Sequence, residues 1–276
     1  MKPTTISERM MFSTVKLETQ SGSGTGFFFN FSINNSIVPV IITNNHVVNN
    51  KQTEKVKFSL HINSSDENSN ENLSCEYTVD WFSHPKYDLC FTFFNPIFED
   101  IQNKTGKQVF YIPVDESILA SQVQLNELSQ LEEVVMIGYP IGLSDSKNNF
   151  PIFRKGYTAT HPAINFEGNS IGLVDMACFP GSSGSPIFVL NEHGYSDKKG
   201  NIYLDTSRVL LLGIQFAVPV YNSSGRIVLT TQVPTMNVIT QQMTNLGYYI
   251  KSYELLELKK TIEKIIEDKE KQRKGL

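Results

Sequence analysis

Cysteine is scarce: three stand in the 276 residues, Cys75, Cys90 and Cys178. An odd number without metal-ligand spacing excludes a disulfide framework that pairs them all and offers no thiolate metal site. His61, His84, His161 and His193 share no ligand spacing either, so no metal and no cofactor is expected. No stretch approaches the roughly 18 uninterrupted apolar residues of a membrane-spanning helix. A basic excess is also missing, with 24 Lys and Arg against 28 Asp and Glu and a net charge of −4. A nucleic-acid partner needs a basic face or stripe, so that class is excluded together with the membrane. Residues 1–9 lack the apolar core of a secretory signal. With the unpaired thiols, this predicts a cytoplasmic setting.

Apolar residues and aromatics are plentiful, at 40% and 11%, the latter including 18 Phe and 11 Tyr. That is enough to bury one large core or two small ones. The pattern is of short, turn-punctuated strands, which specifies an all-β barrel or sandwich. Strands are expected over 11–18, 36–43, 55–62, 75–82 and 88–94, then over 132–138, 151–160, 172–178, 185–190, 209–220 and 227–233. The glycines of Ser21-Gly22-Ser23-Gly24-Thr25-Gly26 precede an aromatic strand and mark a turn where backbone approaches something closely. They fit neither the dinucleotide nor the P-loop spacing. Residues 63–74 are polar and read as a solvated hairpin tip, and 191–208 as a surface insertion. A helix-compatible stretch between Pro113 and Leu131 is the best boundary between two halves. Beyond Thr235, Leu255, Leu258, Ile262 and Ile265 form one apolar stripe of a helix. That stripe either packs on the strands or serves as a seam for a second copy or a regulatory protein.

Three separated motifs carry chemistry. Phe179-Pro180-Gly181-Ser182-Ser183-Gly184-Ser185-Pro186 places a serine on a glycine-flanked turn, where the N–H groups of Gly181 and Ser183 can converge beside a hydroxyl and hold an oxyanion. A serine hydroxyl is a weak nucleophile at neutral pH and needs a base, and the base needs an orienting carboxylate. Upstream, Thr43-Asn44-Asn45-His46-Val47 follows a buried strand, and Tyr87-Asp88-Leu89-Cys90 opens another. Taken singly, His46 reads as a packing residue and Asp88 as a turn residue. Their joint occurrence with the serine turn is the signal. Cys90 and Cys178 read as small buried hydrophobes rather than nucleophiles.

In these residues the chain resembles the trypsin-like (chymotrypsin-fold) serine proteases, over roughly residues 11–234. The Gly-Ser-Pro ending of its serine motif resembles bacterial glutamyl endopeptidases. The Gly-rich stretch and the Gly138-Tyr139-Pro140 turn resemble high-temperature-requirement proteases, without room for their PDZ domain. Asn44 and Asn45 replace the family's small residues. The resemblance implies two six-stranded antiparallel β-barrels with the active site in the cleft between them, plus a C-terminal helical tail. Residues 1–118 would form the barrel bearing His46 and Asp88, residues 119–234 the linker and the barrel bearing Ser183, and residues 235–276 the tail. It further implies Ser183 as nucleophile, His46 as base, Asp88 as its orienter, and Gly181 and Ser183 as oxyanion donors. The substrate pocket would include Ala177, Cys178, Gln215 and Phe216. Ala177 stands where trypsin-type enzymes carry an aspartate, so an uncharged residue before the cut is expected. Ser182 stands where secreted zymogens carry an aspartate, so no switch by a freshly cut N-terminus is expected. The implied activity is intracellular endoproteolysis of a protein or peptide. A silent binding module on the same fold and an esterase are the alternatives.

Overall fold

The computed structural model describes residues 2–64, 70–142, 145–227 and 236–274. A short helix α1 (Ile6–Met10) leads into β1 (Thr14–Thr19), β2 (Gly22–Ile33), β3 (Ser36–Thr43), β4 (Thr53–Ile62), β5 (Asn72–Asp80), β6 (Phe82–Ser83) and β7 (Cys90–Phe93). These strands pair in the order β5-β4-β1-β2-β3-β7-β6, with β8 (Val109–Phe110) on β4 and β9 (Val114–Asp115) on β2. Helix α2 (Asn95–Thr105) packs Ile97 and Ile101 inward. After α3 (Gln122–Glu127) come β10 (Glu133–Gly138), β11 (Ile152–Thr158), β12 (Ile171–Asp175), β13 (Pro186–Asn191) and the hairpin β14 (Gly194–Ser196) with β15 (Ile202–Leu204). Then follow β16 (Arg208–Ala217), the paired β17 (Val220–Ile227) and β18 (Met236–Met243), β19 (Leu246–Lys251) and helix α4 (Leu255–Lys274).

The second half closes into a six-stranded barrel, β10-β11-β12-β19-β16-β13. The first half, expected as a second six-stranded barrel, is an open half-barrel sheet. Its edge strand β6 is two residues long and too short to close the ring. Together the two halves make the chymotrypsin fold.

One expectation needs correction. The tail expected from residue 235 begins with strands, and β19 is an integral barrel strand, hydrogen-bonded to both β12 and β16. Tyr249 and Ile250 are fully buried there, and Gly247 lies against Cys178, so close that a Cβ would meet its Sγ at 2.4 Å. The barrel therefore runs to Lys251 and the helix starts at Leu255. The strand expected over 227–233 lies, apart from Ile227, outside the described residues, as does 65–69 of the expected hairpin tip.

Alternation explains how the layers meet. Phe27, Phe29 and Phe31 of β2 point into a core shared by both halves, whereas Phe28 points into the interior of the first sheet. The shared core contains Ile137, Phe188, Ile214 and Ile250 from the barrel and Leu255, Leu258 and Ile262 from α4. The apolar stripe of α4 is thus covered by the chain's own strands. Of the two readings of that stripe, the structure fits packing.

Candidate active site

His46 sits in a single 3-10 turn, Asn45–Val48, directly after β3. Its Nδ1 lies 2.5 Å from Asp88 Oδ2, and its backbone N–H donates to Asp88 Oδ1 at 3.1 Å. A carboxylate on Nδ1 fixes the tautomer that leaves Nε2 free to accept a proton.

The loop carrying Asp88 is held from several sides. Asn44 Nδ2 donates to the Asp88 carbonyl at 2.6 Å, and the Ser83 hydroxyl donates to Asn45 Oδ1 at 2.7 Å. The His84 N–H donates to Leu89 O at 2.7 Å. The ring of His84 sits inside the loop. Its Nδ1 accepts the N–H groups of Lys86 (3.1 Å) and Tyr87 (2.9 Å), which puts the ring proton on Nε2. That nitrogen lies 3.2 Å from Glu254 Oε2, an ion-pair distance without hydrogen-bond alignment. Burial holds the His84 pKa below the ordinary value, against the opposing pull of Glu254 and Glu257. The Tyr87 hydroxyl accepts the Ser170 N–H at 2.9 Å and so ties this loop to the second half.

The serine turn follows from its residues. Pro180 and Gly181 are the central pair of a turn closed by the Ser182 N–H donating to Phe179 O at 3.0 Å. Gly181 has φ 87°, the value a type II turn demands at its third residue. Gly184, at φ 84°, donates its N–H to Gln215 O at 2.9 Å. A Cβ there would meet the Thr25 carbonyl oxygen at 1.9 Å, so only glycine fits. Among the described residues, the N–H groups of Gly181 and Ser183 have no acceptor in the protein, and both are free for an oxyanion.

His46, Gly181 and Ser183 line one cleft of about 440 Å³, walled also by Ile141, Pro180 and residues 21–23 of the β1–β2 turn. No hydrogen bond joins the Ser183 hydroxyl to His46 among the described residues. The four residues expected to form the substrate pocket lie outside this cleft. Cys178 and Gln215 are 2% and 1% exposed. Gln215 therefore does not face solvent; its Nε2 donates to Ala217 O at 3.1 Å, and its Oε1 is buried without a hydrogen-bond partner among the described residues. Ala177 and Phe216 are half-buried. Arg154 Nη1 donates to Ala177 O at 2.9 Å, and its guanidinium lies 4.7 Å from the Phe179 ring centroid, bracing this wall from behind.

All three cysteines are free thiols. Burial pushes the Cys178 pKa up to about 12 and the Cys90 pKa well above its ordinary value, which leaves neither a thiolate nucleophile at neutral pH. No cluster of metal-ligating side chains occurs among the described residues.

Residues 24–194, more than half of the chain, match the model of the trypsin-like peptidase domain. The chain belongs to that family, and it is a serine protease of the chymotrypsin fold. Among solved structures it is similar to the serine protease of a human pathogenic astrovirus, at 14% identity over 87% of this chain and 88% of that one, with a TM-score of 0.38. It is also similar to an inactivated protease paralogue of the scabies mite, at 10% identity over 93% and 96%, with a TM-score of 0.45. The comparison with curated proteins gives no match.

Sequence reasoning missed the supports. Thr25, Asn44, His84 and Ile141 do not look like site residues in one dimension. Only Asn44-Asn45, standing where small residues are usual, carried a signal. Side-chain amides there reach across to the Asp88 loop.

Proposed function

We propose that this protein is an endopeptidase that hydrolyses peptide bonds of a protein substrate through Ser183, His46 and Asp88. The observation that carries the reading is the His46–Asp88 contact of 2.5 Å, in a cleft shared with Ser183 and two unengaged N–H groups. Ser183 Oγ attacks the scissile carbonyl carbon while its proton passes to His46 Nε2. The oxygen that gains the charge is stabilised by the Gly181 and Ser183 N–H groups. The C–N bond then breaks, His46 returns the proton to the departing amine, and an acyl-enzyme remains. Water, deprotonated by the same imidazole, attacks the ester, and the Ser183 hydroxyl is restored. Asp88 holds the imidazole in place and stabilises the imidazolium.

In this reading cleavage follows an uncharged residue, which is supported by a cleft whose lining holds no Asp, Glu, Lys or Arg. The free thiols support work in a reducing, cytoplasmic compartment. A fluorophosphonate probe tests the core of the proposal. Wild-type protein should be labelled on Ser183, and Ser183→Ala and His46→Ala should not. Folded wild-type protein that resists the probe and leaves peptide amides intact would rule the reading out. Hydrolysis of esters but not amides would narrow it to an esterase.

A further inference from the structure

An oxyanion turn of this kind has two forms. In a type II turn the central peptide, here Pro180–Gly181, points its carbonyl one way and its N–H the other. Rotation of that single peptide gives a type I turn with both groups reversed. In the reversed form the Pro180 carbonyl points where the Gly181 N–H should point, and the site cannot stabilise an anion. Ser182, beside the nucleophile, has no charge with which to pin that peptide. Its hydroxyl accepts only the Phe179 N–H at 3.4 Å. Something else has to hold the turn.

The structure supplies three donors from outside it. The Ile141 N–H donates to Pro180 O at 2.5 Å, fixing the central peptide itself. The Thr25 hydroxyl donates to Gly181 O at 3.1 Å, and the Thr25 N–H donates to Ser183 O at 2.9 Å. Thr25 is fully buried and satisfied on its other lone pairs. Its Oγ1 accepts the Tyr139 N–H at 3.0 Å, and its carbonyl accepts the Thr43 hydroxyl at 2.7 Å. One residue of the first half therefore grips two carbonyls of a turn on the second half.

Ile141 has an unusual conformation for the task, φ 53° and ψ 26°, with its side chain 70% exposed. A β-branched residue in the left-handed region is strained by an amount on the order of 1–3 kcal/mol, and no burial of its side chain compensates. What the strain achieves is the direction of its N–H.

We propose that Ile141 and Thr25 are positioning residues that lock the Pro180–Gly181 turn in its type II form, so that the oxyanion site is assembled in the resting protein without a cleavage-generated terminus. This rests on the reading of the chain as a Ser183 protease. The test compares steady-state hydrolysis of a peptide amide with the affinity for a peptidyl trifluoromethyl ketone, which forms an anionic adduct on the serine.

Ile141→Pro removes the N–H and forbids the positive φ. Its kcat should fall about 10²-fold, the order expected for losing one oxyanion donor, with KM changed by less than about threefold. Ketone affinity should fall in parallel with kcat, since the anion is bound only after attack. Ile141→Gly keeps the donor and relieves the strain, and should restore kcat to within about threefold of wild type. Thr25→Val should behave like Ile141→Pro, with partial rescue by Thr25→Ser. If Thr25→Val fails to fold, the exposed Ile141 pair decides alone.

Equal damage from proline and glycine, or a loss confined to KM, would overturn the proposal while leaving the protease reading intact. Wild-type protein inert to both substrate and ketone would instead remove the protease reading, and this proposal with it.

Discussion

His61 should make the protein acid-labile at a seam far from its chemistry. The imidazole is 5% exposed, lies 4.8 Å from the Phe12 ring centroid and 5.7 Å from that of Phe150, and its Nε2 has no hydrogen-bond partner among the described residues. Burial lowers its pKa from 6.5 to about 4. Because the folded-state value is the lower one, the unfolded chain binds more protons between about pH 4 and pH 6.5. Stability is therefore lost as pH falls through 6.5, and the loss levels off below about 4. At about pH 4.5 nearly every unfolded His61 is protonated and most folded copies are not, which amounts to about 2.5 kcal/mol. That is a large share of a stability of about 5–15 kcal/mol. Phe12 and His61 belong to the first half and Phe150 to the second, and Asn149 Nδ2 donates to Ser59 O at 3.0 Å beside them, so protonation stresses the contact between halves. The assay is urea unfolding at pH 7 and at pH 4.5 for wild type and His61→Phe, whose ring keeps the aromatic packing. Between the two pH values wild type should lose about 2 kcal/mol more than the variant. Equal losses would refute the assignment of this acid lability to His61.

Two further substitutions test the scaffold around the chemistry. Gly184→Ala places a Cβ 1.9 Å from the Thr25 carbonyl oxygen and 2.5 Å from Thr43 Oγ1 at a positive φ. It should cost more than about 3 kcal/mol and abolish fluorophosphonate labelling; a melting temperature near wild type would contradict the packing argument. His84→Phe leaves the Lys86 and Tyr87 N–H groups without their acceptor, at about 1–3 kcal/mol for a buried one. Melting temperature and kcat should fall together as the Asp88 loop loosens, and an unchanged kcat would show that the loop is held without the histidine.

The three candidate residues stand out in the sequence because each sits in a local pattern set by chain geometry: His46 after a buried strand, Asp88 at a strand start, Ser183 between turn glycines. Strands β3 and β10 were legible for the same reason, as short apolar runs bounded by turn residues. What stayed hidden was coupling across the chain. Thr25 looks like a residue in a flexible glycine stretch, and only the fold shows that Gly24 and Gly26 lack side chains so that Val47 and Ile41 can close over the strand. The helix α2 was missed although Pro96 in its first turn and Gly106 at its end, φ 69°, are start and stop signals. The aromatic run before it reads as strand. The boundary at 235 failed because β19 is recruited by β12 and β16, partners that local period does not reveal.

The packing of α4 has a consequence for how the molecule comes into being. Leu255, Leu258 and Ile262 complete the core that Phe27, Phe29 and Phe31 begin, and Glu254 faces the histidine inside the Asp88 loop. On a ribosome, His46, Asp88 and Ser183 all emerge well before these residues do. A partly made chain that stops short of α4 therefore leaves part of the shared core open to water, and the two halves bury their common face completely only once synthesis has passed the helix.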